Sequence, residues 1–188
     1  GSYRDVYARH GLLGPRAVLA HGIWLDDADR ALLARERAQI AHSPSSNLFL
    51  GSGLMPWRAH EDAGVPVSLA TDVGGGTSLA LLRTMADAYK VQALQHVRLP
   101  AWKALYTATR GAARALGLEH EIGSLDTGCL ADVALWDWAH GAVAVARDDA
   151  ARTLHERVFA WMTLADERNL LATWVAGQPL YPRMEATR

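Results

Sequence analysis

The spacing of three short apolar segments constrains the fold of this chain most strongly. Residues 16–20, 39–41 and 65–70 are apolar runs bounded by turn residues, which is typical of buried strands. Two stretches with a helical pattern, residues 26–37 and 57–63, lie between them. Alternating strands and helices indicate right-handed βαβ units and a parallel sheet. The sequence therefore predicts an α/β fold over this part of the chain.

A lone carboxylate at the end of the third predicted strand is the strongest chemical signal. Asp72 lies two residues after the apolar run, and Val73, three glycines and Thr77 come after it. An aspartate in this place either caps the next helix or serves chemistry at the carboxyl edge of the sheet. The next predicted helix begins near Ser78, too far along the chain for a cap. A phosphate-binding loop over residues 74–77 is disfavoured because the lysine of a P-loop is missing.

Two histidines occupy the equivalent places after the first two strands. His21 precedes a glycine, and His42 opens the segment His-Ser-Pro-Ser-Ser-Asn at residues 42–47. The intervals from His21 to His42 and from His42 to Asp72 each suit one β/α unit. Because the carboxyl ends of parallel strands share one edge, we expect His21 to lie close to Asp72. His42 has two open roles: it shapes the mouth of the pocket, or it contacts the bound molecule directly.

These strand-end residues are candidates for holding a metal ion or a proton. Hydrolytic zinc and iron sites use three or more protein ligands together with water. His21, His42 and Asp72 are the well-placed candidates in this sequence. Nucleophilic catalysis is disfavoured because no Gly-x-Ser-x-Gly elbow is present and Cys129 has no evident histidine partner. The remaining histidines are expected at the surface: His10, His60, His96, His120, His140 and His155.

Charge and hydropathy exclude several classes of function. The net charge is -1, with lysine and arginine scattered among acidic residues, which disfavours nucleic-acid binding. No apolar run approaches the roughly 20 residues that span a bilayer. The single cysteine, Cys129, rules out an internal disulfide and is typical of a reducing compartment. We therefore expect a cytoplasmic protein that binds neither nucleic acid nor membrane.

The rest of the chain is predicted to be helical first and then mixed. The predicted elements are helices over residues 3–10, 79–97 and 101–116, a strand over 131–137, a helix or extended arm over 153–164 and a hairpin over 173–181. The chain opens in a helix with no leading strand, which indicates that it is part of something longer. The change in character after the helices predicts two regions, residues 1–120 and 121–188.

Several motifs together resemble the C-terminal part of the guanine deaminases of the amidohydrolase superfamily. The segment at residues 42–47 is shared by many deaminases of that superfamily. More specific are Thr-Asp-Val-Gly-Gly-Gly-Thr at residues 71–77 and Met-Thr-Leu-x-Asp-Glu-Arg at residues 162–168. The similarity runs nearly from end to end, with further matches at residues 7–14, 20–22, 48–54, 88–91, 115–118, 122–123 and 131–132.

This resemblance implies a metal-dependent (β/α)8 TIM barrel that carries a small β-sandwich. Residues 1–120 would supply barrel strands six, seven and eight with their helices, and residues 121–188 would return to the sandwich. In that family a metal, usually zinc (Zn2+) and with other divalent ions possible, activates the water that attacks C2 of guanine. The products are xanthine and ammonia, so the implied enzyme is a hydrolase of purine catabolism acting on a C–N bond of a cyclic amidine.

The resemblance also implies roles for single residues. Asp72 matches the strand-eight aspartate, which binds the metal and takes the proton from the water. His21 matches the strand-six histidine, which contacts the nucleophile at the metal and helps to stabilise developing charge. His42 matches a strand-seven position whose role stays open. Cys129 stands where the family often has lysine, and we expect no catalytic effect from that difference.

One departure from the family is large. The His-x-His motif of strand one, the strand-five histidine and a nearby glutamate all precede the region that this chain covers. One carboxylate and one imidazole should not hold a catalytic metal tightly. We therefore expect activity only together with the missing N-terminal half, with guanine as the small-molecule substrate and a homodimer as the assembly.

Two alternatives remain open at this point. One alternative is a deaminase that acts on another purine or on a triazine, because most residues that hold the ring lie upstream. The other alternative is a non-catalytic fragment that serves as an assembly module. An open three-stranded edge exposes backbone groups and apolar surface, and such an edge seeks a partner.

Overall fold

The computed structural model describes residues 3–182, which form two small sheets with helices packed around them. The helices are α1 (Tyr3–Arg9), α2 (Asp27–Glu36), α3 (Pro44–Phe49), α4 (Trp57–Asp62), α5 (Leu81–Leu94), α6 (Ala101–Ala108), α7 (Arg110–Leu116), α8 (Ala142–Asp149) and α9 (Leu154–Leu164). The strands are β1 (Val18–Ala20), β2 (Gln39–His42), β3 (Val67–Leu69), β4 (Val133–Trp136), β5 (Leu170–Val175) and β6 (Gln178–Pro182). A short 3-10 turn, Glu167–Asn169, precedes β5.

The first sheet is parallel, as the strand and helix spacing predicts. Its order is β1-β2-β3, with Ala20 opposite Ala41 and His42 opposite Leu69. Every residue of β2 is buried, because a parallel central strand is covered on both faces. The carboxyl ends of the three strands therefore lie along one edge, where His21, His42 and Asp72 follow or end them.

Side-chain caps fix where two of the predicted helices begin. The Asp26 carboxylate accepts a hydrogen bond from the Asp29 backbone N–H, and the Asp29 carboxylate accepts one from the Asp26 N–H. The same reciprocal pair joins Thr153 and Glu156 at the start of α9. Each such cap satisfies backbone donors that a helix start leaves free. Thr153 thus caps a helix that runs to Leu164, and the extended-arm alternative is wrong.

The structure differs from the sequence-based expectation in three places. Residues 44–49 form helix α3, which is not among the predicted elements. The single helix predicted over residues 101–116 is broken at Thr109, whose backbone (φ -129°, ψ -101°) is not helical. Helix α8 was not predicted, because alternating valines at positions 143 and 145 do not resemble a helical pattern.

The second sheet is antiparallel, with the order β4-β5-β6. Strands β5 and β6 form the predicted hairpin, and the predicted strand at residues 131–137 is β4. Trp136 of β4 packs edge-on against Trp161 of α9, with ring centroids 5.8 Å apart. This contact attaches the second sheet to the helical layer.

One hydrophobic core holds the two regions together. It contains Ile40 of the first sheet, Trp57 and Met85 of the helices, and Val158 and Met162 of α9, all almost completely buried. Residues from both sides of position 120 therefore share this core, and the division into residues 1–120 and 121–188 stays a prediction. The fold is mixed α/β. No helix within residues 3–182 is long and apolar enough to cross a membrane.

Candidate functional site

His21 and Asp72 come together at the carboxyl edge of the parallel sheet. The His21 Nε2 atom lies 3.9 Å from the Asp72 Oδ2 atom. Both side chains are partly exposed, at 42% and 41% of their surface. The two groups thus face open space beside each other, 51 positions apart in sequence, because β1 and β3 flank β2. The sequence predicts this proximity from strand ends alone.

Both residues have an unusual backbone conformation. His21 has φ 71° and Asp72 has φ 50°, in the left-handed region that non-glycine residues rarely adopt. Such a conformation costs on the order of 1–3 kcal/mol and persists only where neighbouring structure imposes it. The His21 N–H donates to the Ala41 carbonyl at 2.9 Å, and the Asp72 carbonyl accepts from the Gly76 N–H. These bonds hold the two strained turns that aim the side chains at each other.

Helix α3 contacts His21 directly and contacts the loop that carries Asp72. The Asn47 Oδ1 atom lies 2.8 Å from the His21 Nδ1 atom, and Asn47 is 2% exposed. The Ser45 hydroxyl lies 2.9 Å from the Thr77 hydroxyl, in the loop that follows Asp72. The sequence did not predict the contacts of Asn47 and Ser45. The signal was present, since Pro44 suits the first position of a helix.

The glycines after Asp72 are required by close packing. A Cβ atom on Gly76 would lie 1.8 Å from the Thr71 carbonyl oxygen, a backbone atom that cannot move aside alone. A Cβ atom on Gly75 would lie 2.5 Å from the Ser46 hydroxyl oxygen and 3.4 Å from Asp72 Oδ2. Gly76 therefore allows the tight turn, and Gly75 allows α3 to approach the carboxylate.

His42 lies inside the protein and not on the open edge. It is completely buried, its ring packs edge-on against Trp57 at 5.6 Å, and neither ring nitrogen has a hydrogen-bond partner within residues 3–182. Burial, with smaller contributions from His60 and His21, lowers the pKa of His42 from 6.5 to about 3. The ring is therefore neutral at physiological pH. This placement favours a role in shaping the site over direct contact with a ligand.

His60 is also buried, so its expected surface position is wrong. Its Nε2 lies 2.8 Å from the Gly22 carbonyl oxygen, next to His21 in the chain. Burial lowers the pKa of His60, although the hydrogen bond to Gly22 opposes the effect. A histidine on a short helix gave no sign of this contact in the sequence. Of the other five histidines expected at the surface, His155 is half-buried. The remaining four are exposed: His10, His96, His120 and His140.

The buried His42 predicts that the protein loses stability in acid. Its pKa is about 3 when folded and near 6.5 when unfolded, so the unfolded state binds more protons between these values. The stabilisation is complete above pH 6.5 and falls as the pH drops toward 3, by about 2 kcal/mol at pH 5. Urea unfolding at pH 5 and pH 7 measures this difference.

The matched comparison uses two histidine substitutions. His42→Gln should weaken the dependence of unfolding free energy on pH between 5 and 7, because a neutral amide replaces one titrating ring while the buried His60 remains. His140→Gln, at an exposed loop position, should leave the dependence as it is. If the pH dependence of the unfolding free energy were the same in His42→Gln as in the unaltered protein, the pKa of His42 would not differ between the folded and unfolded states.

The donor set at the edge suits a metal ion but does not complete its coordination. Zinc binds histidine nitrogen and carboxylate oxygen at about 2.0–2.2 Å, so two ligands of one ion lie within about 4 Å of each other. The 3.9 Å between His21 and Asp72 meets this condition. Within residues 3–182, no group of three His, Cys, Asp or Glu side chains is arranged to hold a metal. A third His, Cys, Asp or Glu ligand is therefore not in place within the described residues.

The chain matches known proteins over almost its whole length. A sequence profile of the Amidohydrolase family matches residues 1–180. The guanine deaminase of Escherichia coli is 38% identical over 181 residues, which cover 96% of this chain and 41% of that enzyme. Its solved structure superposes with a TM-score of 0.95 over 97% of this chain and 43% of the enzyme chain. The resemblance to guanine deaminases that the motifs predicted is thereby confirmed.

Two further solved structures carry ligands that bear on the site. A guanine deaminase from C. acetobutylicum with guanine bound in its active site is 27% identical (TM-score 0.83, 95% of this chain and 42% of that one). An adenosine deaminase from Xanthomonas campestris with bound zinc is also 27% identical (TM-score 0.79, 94% and 39%). The chain spans about two fifths of the length of these proteins.

Proposed function

The chain belongs to the amidohydrolase family, and we propose that it is the C-terminal portion of a guanine deaminase that converts guanine to xanthine and ammonia. The observation that carries this proposal is the pairing of His21 and Asp72 at 3.9 Å, on a fold that superposes on a guanine deaminase with a TM-score of 0.95. Partial exposure leaves both side chains accessible to a substrate.

We propose that residues 1–120 are the last three strands of a (β/α)8 barrel and that residues 121–188 return to a small β-sandwich. Parallel sheets normally occur with several strands and both faces covered, whereas this sheet has three strands. Strand β1 is an edge, and a cleft of about 490 Å³ runs beside it past Leu19, His21 and Trp24. Preceding strands of a barrel would cover this edge.

Exposed apolar side chains around the site support the same arrangement. Trp24 is 82% exposed, and Leu50 and Val73 are also largely exposed. Val73 is next to Asp72 in the chain, and Leu50 lies against Gly75. Apolar surface of this kind marks an interface. We propose that the N-terminal portion of the same protein covers it, and that the complete enzyme forms a homodimer through other surfaces.

We propose zinc as the metal and His21 and Asp72 as two of its ligands. The remaining ligands would come from the N-terminal portion, because the described residues offer no third one in place. Zinc bound there would supply Lewis acidity, which lowers the pKa of the attacking water. Other divalent ions with the same preference for nitrogen and oxygen ligands fit this pair equally well.

Asp72 would then carry the proton chemistry, beside a metal ion that His21 helps to hold. The Asp72 carboxylate accepts a proton from the water as the water oxygen attacks C2 of guanine. The carboxyl group then delivers that proton to the departing amine. A C–O bond forms, the C2–N bond breaks, and ammonia leaves. The His21 imidazole would hold the metal through Nε2 and so keep the attacking water beside Asp72. His42 and Trp57 pack behind the strand ends and keep this edge rigid.

A substrate panel tests the proposal. The complete polypeptide, this chain with the N-terminal portion, would be loaded with zinc and assayed for ammonia release from guanine, adenosine and an aminotriazine. We expect the largest kcat/KM with guanine. A larger kcat/KM with adenosine or the triazine would show that guanine is not the preferred substrate, while the enzyme would still be a deaminase. No ammonia from any of the three would contradict the proposed function.

A further inference from the structure

We propose that Asn47 is a positioning residue that holds His21 in the tautomer with its hydrogen on Nδ1. The catalytic consequence of this inference rests on the proposed deaminase function, but the tautomer itself does not. The Asn47 side chain contacts His21 on the side away from Asp72, so Asn47 would act on the reaction only through His21.

The hydrogen-bond geometry sets the tautomer. Asn47 Oδ1 lies 2.8 Å from His21 Nδ1. An amide oxygen accepts hydrogen bonds and never donates them, so the hydrogen of this bond belongs to Nδ1. In a neutral imidazole the other nitrogen, Nε2, then carries a lone pair and no hydrogen. That nitrogen is the one that lies 3.9 Å from the Asp72 carboxylate.

This tautomer is the one that the proposed site requires. A ring nitrogen that carries hydrogen can neither bind a metal nor accept a hydrogen bond. Histidines that bind metals almost always donate their other ring N–H to an oxygen nearby, which fixes both the tautomer and the ring orientation. Asn47 Oδ1 provides that oxygen for His21.

Asn47 is held firmly enough to orient another side chain. It is 2% exposed, its N–H donates to the Ser43 carbonyl at 3.0 Å, and its own carbonyl accepts from Ser52 N–H at 2.8 Å. Two residues earlier, Ser45 bonds to Thr77 in the loop after Asp72. Helix α3 therefore fixes His21 through Asn47 and the Asp72 loop through Ser45. A buried amide on a fixed backbone positions its partner more precisely than a mobile one.

Nitrogen NMR of the histidine rings tests the tautomer directly. The complete zinc-loaded polypeptide would be labelled with 15N-histidine, and the His21 signals would be identified by their loss in His21→Gln. We expect a hydrogen-bearing shift at Nδ1 and a lone-pair or metal-bound shift at Nε2. A hydrogen-bearing Nε2 would overturn the proposal, because it would mean that the Asn47 amide is turned with Nδ2 toward the ring.

Substitutions show whether Asn47 is the cause. Asn47→Leu removes the acceptor at similar volume, and we expect its His21 signals to lose the Nδ1–H pattern. Asn47→Asp keeps an acceptor in place and should keep the pattern. Asp62→Asn, at the exposed end of α4, is the control and should leave the His21 signals unchanged. An Asn47→Leu spectrum like that of the unaltered protein would overturn the proposal. If Asn47→Leu does not fold, the unaltered spectrum and Asn47→Asp decide the question.

The kinetic effect separates this inference from the proposed function. If both hold, Asn47→Leu lowers kcat for guanine by about 10- to 100-fold with a small change in KM, and Asn47→Asp recovers part of the loss. If the unaltered polypeptide shows the Nδ1–H tautomer but releases no ammonia from guanine, the proposed function fails and the positioning role stands. If guanine is turned over while His21 carries its hydrogen on Nε2, the positioning role fails and the function stands.

Discussion

Replacing Asp72 by asparagine in the complete polypeptide is expected to lower kcat for guanine by about 10³-fold. The substitution preserves the size of the side chain and removes its ability to accept a proton. It also replaces the carboxylate ligand of the proposed metal with a neutral amide. Because Asp72 is at the surface of the described fold and 41% of its side chain is exposed, the loss should not come from unfolding.

Two companion measurements identify the cause of that loss. Zinc content and thermal unfolding of Asp72→Asn should be measured beside kcat, since we expect less bound zinc and a nearly unchanged melting temperature. Asp62→Asn, at the exposed end of α4, is the matched control and should leave kcat unaltered. Near-normal turnover by Asp72→Asn would contradict the role that we propose for this carboxylate.

Gly76→Ala is expected to have the second-largest effect. Its Cβ atom would meet the Thr71 carbonyl oxygen at 1.8 Å, so the turn from Thr71 to Gly76 has to open. Opening the turn would break the hydrogen bond from the Gly76 N–H to the Asp72 carbonyl and would displace Asp72. A displacement of about 1 Å at a catalytic group costs on the order of 100-fold in rate. We expect kcat/KM for guanine to fall by about that factor.

The control for this change is another glycine. Gly14 has no atom within 4 Å of an added Cβ and does not have a positive φ. Gly14→Ala should therefore keep both activity and stability. Circular dichroism would verify that Gly76→Ala retains its helices. If Gly76→Ala deaminated guanine at the normal rate, the position of Asp72 would not depend on this turn.

The sequence is enough to predict the arrangement of the candidate site but not its support. Strand periodicity places His21 and Asp72 at one sheet edge, because side-chain pattern and βαβ handedness leave little choice. The contact between Asn47 and His21 depends on the direction in which α3 leaves β2. That direction is set by tertiary packing of six consecutive buried residues, 42–47, which a local pattern does not describe.

The buried histidines show the same limit. His60 lies on a short, polar helix whose pattern predicts exposure, and His42 follows an apolar run whose end predicts an open edge. The His42 ring packs against Trp57 of the core, and the buried His60 ring lies 2.8 Å from the Gly22 carbonyl oxygen. Whether the side chain at a strand end faces a pocket or the core depends on the helix that packs there. The identity of that residue alone does not predict it.

Complementation tests the central claim most directly. Ammonia release from guanine would be measured for this zinc-loaded chain alone and for the chain mixed with the N-terminal portion of the enzyme. We predict activity only in the mixture, because the described residues contain two metal donors and no complete site. Activity of the chain alone would contradict the account, since it would show that His21, His42 and Asp72 suffice for catalysis.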